Sequence, residues 1–265
     1  MGEKDKFNLR TEVYKDLMQP TVKTTGEIVS LIPRAIKVAL APVEQWIVQK
    51  ERNLEETYKL LEEKLQNSDP KYIVTPELRI AVPALQAICY CVDNKELREM
   101  FANLLARSMT TVFKNDVHPS FVEIIKQLCP DEARILRYIL EEAGGIPTIS
   151  VWAEDKHMKY MHLGEYTNIA ELAECEMKQL EKCYIDNLIR LGLIRKSRDG
   201  EYMGQEKLYA ELMATKRVQD LIESGKSRYN HMRIKKEYIR LTDLGELFCI
   251  ICLQYDGVRR GDGWE

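Results

Sequence analysis

Apolar residues return at three- and four-residue spacing in stripe after stripe along this chain, and that period restricts it to a fold built largely from packed helices. From Gly26 onward, Ile28, Leu31, Ile32, Ala35, Ile36 and Ala39 share one helical face. Pro42 suits the first position of a new helix, whose stripe is Val43, Trp46, Ile47, Leu54, Tyr58, Leu61 and Leu65. Asn67-Ser-Asp-Pro70 ends it, and Lys71 to Val82 reads as an extended connection before Pro83 opens a short helix. Asp93-Asn-Lys-Glu96 is a capping box with Asp93 accepting backbone N–H bonds, ahead of Leu97, Met100, Phe101, Leu104, Leu105 and Met109. His118-Pro119 starts another helix, and Cys129-Pro130-Asp131-Glu132 one more, with two acids at its positive end.

The second half mixes in extended segments. Ile146 to Val151 is β-branched, and Asn168-Ile-Ala-Glu171 is a second capping box leading a helix that ends at Gly192. Leu193–Lys196 and Tyr238–Leu241 read as strands, with Thr242 capping a last helix. The expected fold is mainly α: an N-terminal helical region followed by a winged-helix-like α+β C-terminal region. The expected boundaries are a flexible arm over 1–25, helices over 26–115, the winged-helix-like region over 116–256 and a flexible tail over 257–265. Residues 199–236 would form a long wing insertion, and the two strands flanking it should pair antiparallel.

Charge and cysteine usage narrow the class. A net charge of −3 argues against a protein that coats nucleic acid, while leaving local basic patches open. The seven cysteines lie mostly within apolar helical patterns, which fits a reducing cytosol better than a disulfide scaffold. The start, Met-Gly-Glu-Lys-Asp-Lys, lacks the apolar core of a signal peptide, so a cytoplasmic location is expected. Ile28 to Val48 contains Arg34, Lys37, Glu44, Pro33 and Pro42 and is a poor membrane span. It reads either as a buried helix or as one lying peripherally at a membrane surface, with Trp46 at the interface.

Three stretches, GEIVSLIPRAIKVALAPVEQWI, AVPALQAICYCVDNKELREMFANLLARSM and HPSFVEIIKQLCPDEARIL, resemble the bacterial abortive-infection alpha family. NLIRLGLI, LYAEL and IRLTDLGELFCIIC fit the latter half of that family, so the resemblance runs over roughly residues 25 to 255. It implies a bacterial protein tied to phage resistance and brings no catalytic residues with it.

No phosphate-cradling glycine motif, nucleophile elbow or His-Glu-x-x-His is present, so no enzyme activity and no cofactor are expected. An unrecognised hydrolase is the third reading, because spatial clusters of acids are not visible in a sequence. Cys249-Ile-Ile-Cys252 has half the spacing of a zinc site but no second ligand pair, and it reads as core packing. Cys89 and Cys91 point to different helix faces. His157 and His162 are five apart around a polar loop, and His118 reads as a structural cap; no metal site is expected. The basic candidate spans residues 224–240, where Lys226, Arg228, Arg233, Lys235, Lys236 and Arg240 face only Glu237. With Lys178, Lys182 and Arg190 of the presumed recognition helix they form the nucleic-acid-binding candidates, and Gln179 and Asn187 could also reach bases. Glu174, Glu176, Glu181 and Asp186 interrupt that helix, so protein contact or self-association is the favoured use. Ile28, Leu31, Ile32, Ile36 and Trp46 are the candidates for membrane or partner contact, covered at rest by the Leu54, Tyr58, Leu61 and Leu65 stripe.

Overall fold

The structure, a computed structural model, describes residues 51–66, 70–88, 94–141, 145–154, 160–197, 206–226, 228–229 and 231–253. The chain divides into two compact units, residues 1–128 with 250–265, and residues 129–249.

The first unit holds α1 (Glu51–Leu65), α2 (Leu78–Ile88), α3 (Lys95–Ser108) and α4 (Ser120–Lys126). Helix α3 is its centre: Met100, Phe101, Leu104 and Leu105 are buried, and α1, α2 and α4 all pack on it. Of the stripe Val43, Trp46, Ile47, Leu54, Tyr58, Leu61 and Leu65, the described end is core, with Leu61 and Leu65 of α1 buried and Tyr58 half-buried. Two polar side chains of this core reach partners: the Asn103 amide N–H donates to the Cys252 carbonyl at 2.7 Å, though its Oδ1 meets none, and the Arg107 guanidinium lies 3.9 Å over the Phe113 ring. Two local readings need correction. The α3 cap is Asn94, whose side chain accepts from the Leu97 N–H. Helix α2 does not begin at Pro83 but runs through it. An interior proline costs a helix about 3 kcal/mol, which burial of Ile80, Ala81, Ala84, Leu85 and Ile88 on one face can offset.

The second unit runs from α5 (Pro130–Glu141) through β1 (Ile146–Glu154), β2 (Tyr160–Tyr166), α6 (Ile169–Leu172), α7 (Glu181–Arg190) and β3 (Ile194–Ser197). It continues with α8 (Glu206–Ala214), α9 (Lys216–Lys226) and β4 (His231–Leu241), and α10 (Asp243–Cys252) ends the series. The strands form one antiparallel sheet in the order β2-β1-β4-β3. This corrects the expected fold class. The chain is mixed α+β with a curled, half-barrel sheet, not mainly α with a winged helix. The predicted pairing is present, Ile194 opposite Leu241 through Ser197 opposite Tyr238, but those strands are one side of a four-stranded sheet. The helical pattern of Leu208, Leu212, Val218, Leu221 and Ile222 within the expected wing insertion is α8 and α9, which pack on β1 and β4.

Local chemistry explains the joints. Asp131 accepts from the Glu176 and Met177 N–H groups, both at 2.9 Å, and from the Tyr184 hydroxyl at 2.9 Å. Arg134 bridges Asp131 and Glu176. These bonds hold the turn before α7 to the start of α5, so the continuous helix read from 168 to 192 is broken into α6, a 3-10 turn and α7. Gly192, at φ +72°, closes α7 in a Schellman arrangement, with the Leu193 N–H returning to the Leu188 carbonyl.

Candidate functional site

Alternation along β1 gives the sheet two unlike faces. Ile149 and Val151 point into a core with Tyr209, Leu212 and Val218 from α8 and α9. Thr148, Ser150 and Trp152 lie on the opposite face, and the register sets Glu237, Lys235 and Arg233 of β4 beside them. On the other side, β2 brings Glu165 opposite Ser150 and His162 opposite Trp152. Those two residues are three apart and would fall on opposite faces of a regular strand. The register shift at Val151/Trp152 puts an extra β2 residue there and turns both onto the polar face.

The sheet curls around this face. Lys196 of β3 forms an ion pair with Glu165 of β2, from one edge of the sheet to the other. Three strand spacings would hold those edges about 14 Å apart in a flat sheet, so the bridge depends on the curl. The result is a polar groove with two ends that share His162 and Glu165.

The larger end, about 600 Å³, is lined by Ser150, Trp152, Tyr160, Arg233, Lys235 and Glu237 besides the shared pair. The Trp152 ring lies 4.7 Å from the His162 ring, and its indole donates to the Ser150 hydroxyl. Lys235 pairs with Glu237 at 3.2 Å, and Tyr160 is 62% exposed.

The other end, about 260 Å³, lies under α7, which supplies Glu181, Lys182, Ile185 and Asp186. Glu181 is only 3% exposed. Its carboxylate accepts from the Ala170 N–H at 3.2 Å and has the Arg217 guanidinium at 3.6 Å. Burial, reinforced by Glu171, pushes the Glu181 carboxyl up to about 7 against the opposing bond from Ala170 and the charges of Arg217 and Lys182. Lys182 and Arg217 both lie over the Tyr166 ring, at 5.6 and 5.1 Å. Thr148, 4% exposed, carries a hydroxyl with no hydrogen-bond partner.

The basic residues singled out in the sequence do not share one face. Arg233 and Lys235 enter the groove, whereas Lys236 belongs to the other face, its ammonium 5.1 Å over Tyr209. Arg240 stands exposed opposite Arg195, and Lys226 and Arg228 lie at the end of α9 and the turn after it. Lys178 is exposed in the 3-10 turn, Lys182 lines the smaller end, and Arg190 is held by the Asn187 side chain. Asn187 itself donates to Glu132, and Gln179 is exposed beside Met177. Ile28, Leu31, Ile32, Ile36 and Trp46 lie outside the described residues, as do Cys89, Cys91 and His157.

Cys249 and Cys252 are both fully buried, and burial pushes the Cys249 thiol well above its ordinary value. His118 caps as expected, its Nδ1 accepting from the Ser120 N–H at 3.2 Å. Among the described residues no three His, Cys, Asp or Glu side chains gather closely enough to hold a metal ion, and no helix is long and apolar enough to cross a membrane.

Comparison with known proteins places this geometry in context. No curated protein matches the chain. An uncharacterised protein from the hydrocarbon-degrading marine bacterium Alcanivorax borkumensis SK2 shares 15% identity over 49% of this chain and 90% of its own, at a TM-score of 0.36. The model of the abortive infection alpha family matches residues 49–252, from α1 through every strand of the sheet to the end of α10. The chain therefore belongs to the abortive infection alpha family.

Proposed function

We propose that this is a non-enzymatic antiphage protein that acts through contact with a protein partner, further copies of itself included, at the larger end of the sheet groove. Family membership supports the defence role. The observation that carries the mode of action is the composition of that end: Trp152 tilted against His162, the exposed Tyr160, exposed Arg233, and the Lys235–Glu237 pair. Aromatic residues with arginine are what protein interfaces concentrate. Strand β2 is also an edge of the sheet, a position from which main-chain groups can receive an extended segment.

Pairing of charges within the groove supports a binding role over a chemical one, since Lys196 answers Glu165 and Lys235 answers Glu237. Nucleic-acid binding has less support, because phosphate contact wants an unopposed positive face and the strand period divides the cations of β4. Contact of the 28–48 segment with a membrane is a separate proposal, tested by flotation with anionic liposomes. Phage yield per infected cell tests the partner surface. Cells making the wild-type protein should release far fewer phage than empty controls, and a Tyr160→Ala, Arg233→Glu variant should restore the yield with its melting temperature unchanged. Full protection by that variant would rule the surface out.

A further inference from the structure

We propose that the smaller end of the groove is a binding site for a small ligand bearing a protonated amine, held between the Glu181 carboxylate and the Thr148 hydroxyl. This goes beyond the partner surface, which lies at the other end. The cavity of about 260 Å³ is near the lower limit of ligand pockets, roughly 300–1,000 Å³. Thr148 is nearly fully buried, yet its Oγ1 meets no partner, and it lines this cavity. Buried polar groups are almost always satisfied, so an orphaned hydroxyl at a cavity wall points to a group that completes it.

The charges select the ligand. Glu165, Glu181 and Asp186 line the cavity beside Lys182 and Lys196, and with Glu165 paired to Lys196 an anion would meet Glu181 and Asp186 with Lys182 as the remaining cation. Lys196 is engaged with Glu165, and Lys182 lies over Tyr166. A divalent metal ion is disfavoured because the carboxylates do not converge into a ligand cluster. A protonated amine needs less: one carboxylate acceptor, one hydroxyl acceptor and a wall for its carbon chain, which Ile185 and Ile239 provide. Glu181 is under-neutralised in the free protein. Arg217 from α9 and Lys182 from α7 face it with Glu171 from α6, and burial still holds its carboxyl near 7. A cation entering the cavity would draw it into the ionised form.

Two sources share this chemistry, a free small amine and the amino terminus of a peptide. Calorimetry on the full chain distinguishes them with putrescine, with tri-alanine amide and with the same peptide acetylated. The expected result is binding of putrescine, of the free-amine peptide or of both, and none of the acetylated one. Putrescine affinity should be about tenfold higher at pH 8 than at pH 6, following ionisation of a carboxyl near 7, with a smaller rise for the peptide, whose own amine loses its proton near 8. Glu181→Gln should abolish binding and Thr148→Val weaken it about tenfold, with Thr148→Val melting no lower than wild type. No binding of either amine, equal binding of the acetylated peptide, or unchanged binding in both variants would overturn the proposal.

Discussion

Gly245 sits one turn into α10, where a Cβ would meet the Leu193 carbonyl oxygen at 1.9 Å. That approach lets the Thr242 N–H bond the same carbonyl while the Thr242 hydroxyl caps the helix through the Gly245 N–H. Gly245→Ala must push the helix off the β3 entry, and a loss of about 2–3 kcal/mol in urea unfolding is expected. Two carboxyls give opposite pH signatures. Burial alone would raise Asp131, but the Met177 and Glu176 N–H bonds, the Tyr184 hydroxyl and Arg134 together hold it below its usual range. Its contribution is therefore complete above the unfolded value near 3.8 and is lost as pH falls through the lower folded value. Asp131→Asn should cost about 2–4 kcal/mol at neutral pH, since an amide turns a donor toward donors. Glu181 runs the other way. Its folded value near 7 exceeds the unfolded 4.5, so stability is complete below 4.5 and is lost as pH rises through 7. Thermal melting of Glu181→Gln should match wild type near pH 4.5 and exceed it at pH 8; equal melting at both would contradict the assignment.

At the scale of elements, the helices of the first unit were legible because each combines a stripe with a stop signal, as α3 does. The α5 start was equally plain: Glu132 accepts from the Cys129 N–H as its position implied. What the sequence hid was the sheet. Tyr160–Tyr166 carries His162, Gly164 and Glu165 and exposes half its length, so it reads as a polar loop. The strand exists because Val151, Trp152 and Ala153 of β1 supply its partner, a non-local fact. The same holds for β4, whose basic first half looked like an insertion and whose pairing spans all nine residues of β1. The groove was invisible for a further reason: Glu165 and His162 share a face only through a bulge. Alternation in β4 also has a consequence for the basic cluster. Lys235→Glu places an acid beside Glu237 in the groove, whereas Lys236→Glu removes a cation from Tyr209 on the opposite face. In a salt titration against DNA, neither reversal should change a slope, because no steep salt-dependent binding is expected. A slope that drops by about one with each reversal would favour a phosphate-binding face instead.

At the scale of the whole molecule, the family was legible from ordered motifs while the architecture was misjudged from the same residues. A helix, a strand, a helix, two strands and a helix fit a winged helix when β2 is not seen, and the sheet order β2-β1-β4-β3 excludes it. Family membership gives the account its central claim, that this chain takes part in abortive infection. The most direct measurement is an infection time course at high phage dose, following culture density and free phage with and without the protein. Cells carrying the protein are expected to stop growing or collapse within the first infection cycle while free phage stays far below the empty control. Equal growth, lysis and phage release in the two cultures would contradict it.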